Sequence, residues 1–105
     1  MYNDENPYGI ESTRTVQGIM FCLPSCQRFI PYSWLAHSEM NGNQTEIQFH
    51  YTHTVVTVTG ARLGIVHDAV IRSYLYALRE LKPTSLTKRD ETTVSRIQIA
   101  EKVEN

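Results

Sequence analysis

The sequence predicts an α+β fold in two layers: a mostly antiparallel sheet of four to five strands, with one long helix over about residues 62–81 packed on one face. Three observations carry this. Between residues 28 and 60, apolar and polar side chains alternate with the two-residue period of strands around a turn-forming Asn41-Gly42 pair. After Gly60 the period lengthens to about 3.6 residues, with Leu63, Val66, Val70, Tyr74, Ala77, Leu78 and Leu81 on one helical stripe. Alternation returns over Val94 to Ile99.

Residues 1–14 carry Asn, Asp, Glu, Gly and Pro7 with little periodicity and read as a flexible N-terminal arm, which leaves residues 15–105 for a single α+β domain. A first strand runs through Val16 and Ile19-Met20-Phe21-Cys22-Leu23 and is stopped by Pro24. If Asn41 and Gly42 form a two-residue type I′ turn, His37 pairs with Glu46, Ala36 with Ile47, Leu35 with Gln48, Trp34 with Phe49, Ser33 with His50 and Tyr32 with Tyr51. Tyr32, Trp34, Ala36, Ile47, Phe49 and Tyr51 then share one face, and Ser33, His37, Glu46, Gln48 and His50 the other, with Leu35 the exception.

A second turn at Thr52-His53 sets Phe49 opposite Val56 and Ile47 opposite Val58, and sends Val55, Thr57 and Thr59 to the polar face. The result is a three-stranded meander with one apolar face. The helix should stop near Lys82-Pro83, because proline disfavours helical geometry in the residue before it. Its apolar arc is widened by Ile71 and Leu75, which mark an expected interface. Pro83 to Thr92 reads as a loop, and the last strand as one with Ile97 and Ile99 inward and Val94, Arg96 and Gln98 outward.

A chain of 105 residues suits one small domain. Ten Lys and Arg against eleven Asp and Glu give a net charge of −1, too little field to gather a polyanion. The first residues lack the basic and apolar regions of a signal peptide, and the longest apolar run, Ile19 to Leu23, is far shorter than a membrane helix, so a cytoplasmic protein is expected. In a reducing compartment Cys22 and Cys26 stay thiols, and the Asn43-Gln44-Thr45 sequon stays unmodified.

Few residues suggest chemistry. Cys22, Cys26, His50 and His53 have the inventory of a tetrahedral zinc site, but the two-residue gap between the histidines turns their rings to opposite faces of a strand, so no metal is expected. His37, Glu46 and His50 share the polar face, with His37 directly across from Glu46, and form the candidate ligand-binding cluster. His67 lies in the apolar arc of the helix, where a hydrogen bond to the sheet or to a tyrosine would satisfy it. An aromatic platform for nucleic acid would need a basic surround. Only Arg28 lies near these strands, and Arg62, Arg72, Arg79, Lys82, Lys88 and Arg89 are diluted by Asp68, Glu80, Asp90 and Glu91.

These readings point first to a small non-catalytic protein-interaction or assembly module, homo-oligomeric and without a cofactor. The alternative is a small enzyme or a ligand- or metal-binding protein using the His/Glu cluster, and a weaker one is nucleic-acid binding through the helix and Lys88-Arg89.

Overall fold

The computed structural model describes residues 6–81 and 91–102. In chain order the elements are β1 (Tyr8–Ile10), β2 (Gly18–Cys22), β3 (Gln27–Pro31), a 3-10 turn (Tyr32–Trp34), β4 (Leu35–Met40), β5 (Glu46–Tyr51), β6 (Thr54–Ala61), α1 (Gly64–Ile71), β7 (Leu75–Arg79) and β8 (Thr93–Glu101). Two four-stranded sheets result, in the orders β1-β7-β2-β3 and β4-β5-β6-β8. All pairs are antiparallel except β2 with β7. The α+β class, the antiparallel character and the single helix among the described residues agree with the sequence; the strand count and the helix length do not.

The predicted strand through Tyr32 and Trp34 is two strands in two sheets. Proline has no N–H to continue a ladder, and at Pro31 the chain leaves β3, turns through Tyr32–Trp34 and enters β4 of the second sheet. The Tyr32 hydroxyl donates to the Leu75 carbonyl at 2.7 Å, tying the corner to β7. Tyr8–Ile10, inside the stretch expected to be an arm, forms an edge strand on β7. Hydrogen bonds from Glu11 N–H to Tyr74 C=O and from Val16 N–H to Ser73 C=O continue that attachment.

The helix ends at Ile71 rather than near residue 81. Ser73 takes the left-handed conformation, with φ 61°. The Ser73 N–H bonds the Val70 carbonyl and the Tyr74 N–H the Ala69 carbonyl, closing the helix with a Schellman motif. The chain then runs extended as β7, flanked by β1 and β2, so Leu75, Ala77 and Leu78 are buried in a sheet interior. The pairing of β7 with β1 shifts register between Gly9 and Ile10, so the buried Leu75, Ala77 and Leu78 keep no strict two-residue period and fit a helical stripe as well. The predicted stop at Lys82-Pro83 and most of the predicted loop lie outside the described residues.

The turn at Thr52-His53 has the predicted register, with Ile47 opposite Val58 and Phe49 opposite Val56. The turn after β4 does not. Met40 opposes Ile47, Glu39 opposes Gln48, Ser38 opposes Phe49 and His37 opposes His50, a shift of four residues along β4. The connection is longer than two residues because the Asn41 side chain organises it: Oδ1 accepts from the Thr45 and Glu46 N–H groups at 2.8 and 3.1 Å, and Nδ2 donates to Thr45 Oγ1 at 2.8 Å. The left-handed residue is Gln44, not Asn41 or Gly42.

In β8, Ile97 opposes Val58 and Ile99 opposes Val56, so both face inward as expected. Val94, expected outward, is fully buried. A bulge reconciles the two, since Arg96 pairs with Thr59 and Val94 with Gly60, leaving Ser95 as the extra residue with its hydroxyl on the Thr59 carbonyl at 3.0 Å. Gly60 permits that approach, because a Cβ there would collide with the Thr93 carbonyl.

The core lies between the sheets. Phe21 meets Phe49 edge-on with ring centroids 5.6 Å apart, and meets Tyr51 at 6.4 Å. Ile19, Ile30 and Leu78 from the first sheet, Ile47, Val56, Val58 and Ile97 from the second, and Leu63, Val66 and Val70 at the helix complete it. Each fully buried side chain of this size contributes about 1.5–3 kcal/mol. No helix of the described residues is long and apolar enough to cross a membrane.

Candidate functional site

The outer face of the second sheet carries three cross-strand rows fixed by the register. His37, His50, Val55 and Ala100 form one; Glu39, Gln48, Thr57 and Gln98 the next; Glu46, Thr59 and Arg96 the third. Side chains two residues apart on a strand share a face. His37 and Glu39 therefore stand side by side on β4, opposite His50 on β5. The two imidazoles stack with centroids 4.2 Å apart and planes 11° from parallel. Glu39 Oε1 lies 3.4 Å from His37 Nε2 and 3.3 Å from His50 Nε2.

The three side chains differ in exposure: 59% for His37, 63% for Glu39 and 21% for His50. His50 Nε2 itself is shielded from solvent and, although Glu39 lies within ion-pair distance, it makes no hydrogen bond among the described residues and keeps unused bonding capacity. One ligand atom from each residue lies within 4.8 Å of the others, a donor set able to converge on one ion or one small polar ligand.

Glu46 is not part of this group. The longer loop places it two rows away, opposite Thr59, exposed, with its N–H on the Asn41 side chain. Glu39 takes its place beside His37. That carboxylate was legible in principle, because His37-Ser38-Glu39 in any strand puts the first and third residues on one face whatever the turn.

The other candidates separate. Cys22 ends β2 half-buried, Cys26 is exposed in the following turn, and among the described residues no group of three potential ligands includes either thiol. His67 reaches the sheet as expected, its Nε2 3.0 Å from Ser38 Oγ. Phe49 and Tyr51 belong to the core, whereas Trp34, expected beside them, is 56% exposed at the corner. Arg28 is paired with Glu101, Nη1 to Oε1 2.7 Å, and the hydrogen bond from Arg28 holds the Glu101 carboxyl below the ordinary carboxylate range.

The outer face of α1 presents Ile65, Asp68, Ile71 and Arg72, all exposed, with Ile65 at 51% and Ile71 at 68%. Arg72 Nε lies 3.3 Å from Asp68 Oδ2. Leu75, predicted to share this surface with Ile71, is instead fully buried in β7, since the chain leaves the helix before reaching it.

No family model matches this chain, and comparisons with curated proteins and with solved structures likewise found no match.

Proposed function

We propose that the chain is a non-catalytic module that works through protein contact, with a second copy of itself as its first partner. The observation that supports this reading is the outer face of α1, where two exposed isoleucines flank an opposite-charge pair, Asp68 and Arg72. A two-fold axis brings one surface against itself in reverse order. On this helix a two-fold at the level of Asp68 sets Ile65 of one copy against Ile71 of the other, with each Asp68 neutralised by its own Arg72, so apolar burial drives the contact.

The strength follows from size. Eight residues of helix span about 12 Å, a fraction of the ~800 Å² that each partner gives to a standard interface. The contact therefore extends onto neighbouring surface, and the association is weak and concentration-dependent. Light scattering of the full chain in EDTA, over a wide concentration series, tests it. A mass that climbs from monomer toward dimer is expected; a monomer at every concentration contradicts the proposal.

A further inference from the structure

We propose that His37, Glu39 and His50 form a binding site for one late first-row divalent ion, of the zinc, nickel or copper class, on the open face of the second sheet. The inference is independent of the self-association reading and rests on different residues.

Donor chemistry selects the class. Two imidazoles and one carboxylate suit zinc, nickel and copper, whereas calcium and magnesium take oxygen ligands almost exclusively. Distance supports it. Metal bonds of about 2.0–2.2 Å at a tetrahedral angle hold neighbouring donors about 3.3–3.6 Å apart. Glu39 Oε1 lies 3.4 Å from His37 Nε2 and 3.3 Å from His50 Nε2, so both carboxylate–imidazole separations fall in that window.

The backbone holds the donors in register. All three residues sit on β4 and β5, whose pairing is anchored by Ile47 and Phe49 in the core, so folding places them together without an ion. One local change is needed. Stacked rings 11° from parallel aim their nitrogens side by side, so His37, the more exposed ring, turns about its side-chain bonds to face the ion. Loading therefore breaks the stack and leaves the strands in place. His50 Nε2, shielded and without a hydrogen bond among the described residues, gains the partner it lacks. Three protein donors leave at least one coordination position to water or an outside ligand, which makes this an open, exchangeable site rather than a closed structural one.

The test uses the full chain, purified without a polyhistidine tag and stripped with EDTA, and titrated with cobalt(II) as a spectroscopic stand-in for zinc and with nickel(II) by calorimetry. One ion per chain is expected, with visible cobalt absorption on binding. His37→Ala, His50→Ala and Glu39→Gln should each weaken binding roughly tenfold or more, since loss even of outer-shell partners costs 10–100-fold. His53→Gln should leave it unchanged. Absence of binding, or binding that survives both histidine variants, or binding abolished by His53→Gln, overturns the proposal. If His50→Ala does not fold, His37→Ala, at an exposed position, decides. Because mass is not the readout, failure here leaves the self-association proposal standing, and the reverse holds for light scattering in EDTA.

Discussion

His37 and His50 oppose each other directly across β4 and β5, rings stacked 4.2 Å apart. A two-residue turn would have set His37 against Glu46 instead. The loop that decides between these pairings is built on one side chain, since Asn41 makes three hydrogen bonds to Thr45 and Glu46.

Asn41→Ala should therefore cost about 1–2 kcal/mol, the range for losing buried or loop-closing hydrogen bonds. Gly42→Ala should be neutral or slightly stabilising, because Gly42 has no positive φ and a Cβ there meets nothing within 4 Å. Urea denaturation of both variants checks this. A type I′ turn would reverse the order and make Gly42 the costly position.

The helix end gives a prediction of opposite sign for the two readings of residues 72–81. Ser73 has φ 61°, where glycine is less strained. Ser73→Gly should stabilise the protein by about 0.5–1 kcal/mol. Were the helix continuous through this position, glycine in its interior would destabilise by up to about 1 kcal/mol. Thermal unfolding monitored by circular dichroism reads the sign directly.

Two tyrosines should respond differently to loss of the hydroxyl. Tyr51 Oη is buried without a hydrogen-bond partner among the described residues, whereas Tyr32 donates to the Leu75 carbonyl. Tyr51→Phe should be neutral or stabilising and Tyr32→Phe should cost about 1 kcal/mol, as measured by denaturant titration.

Burial pushes both phenols well above the ordinary tyrosine value of 10.0, opposed at Tyr32 by the Leu75 hydrogen bond and reinforced at Tyr51 by its neighbour Tyr32. Groups with raised folded-state values contribute stability that is fully present below the unfolded-state value and lost as pH rises toward the folded one. Stability should therefore fall above about pH 10, with tyrosinate absorbance appearing together with unfolding. Ionisation of Tyr32 and Tyr51 at the ordinary value in the folded protein would contradict this.

How far the sequence could be read follows from parity. The β4 register is off by four residues, an even number, so His37 and His50 stay on the predicted face while the neighbour changes from Glu46 to Glu39. Face membership depends only on alternation along each strand; the partner depends on the turn, and Asn41-Gly42 carries a strong but local preference that side-chain hydrogen bonds override. The Thr52-His53 register was legible because Ile47, Phe49, Val56 and Val58 must all reach one core. Leu75 to Arg79 was not, because the register of β7 shifts opposite Gly9 and Ile10, so its buried Leu75, Ala77 and Leu78 do not alternate as a regular strand would. Val94 was misplaced because alternation cannot register an extra residue such as Ser95. Ile71 and Leu75, read as one flank of a continuous helix, part company at the helix terminus at Ser73, which leaves Ile71 exposed and Leu75 buried.

Self-association through the outer face of α1 is tested most directly by sedimentation equilibrium of the wild-type chain beside Ile65→Glu and Ile71→Lys, in EDTA. Both substitutions suit the helix dipole, with a negative charge near its start and a positive one near its end, so folding should be retained. Reversible dimerisation of the wild type, weakened at least tenfold in both variants, is the predicted result. A wild type that remains monomeric, or dimerisation that neither substitution weakens, would contradict it.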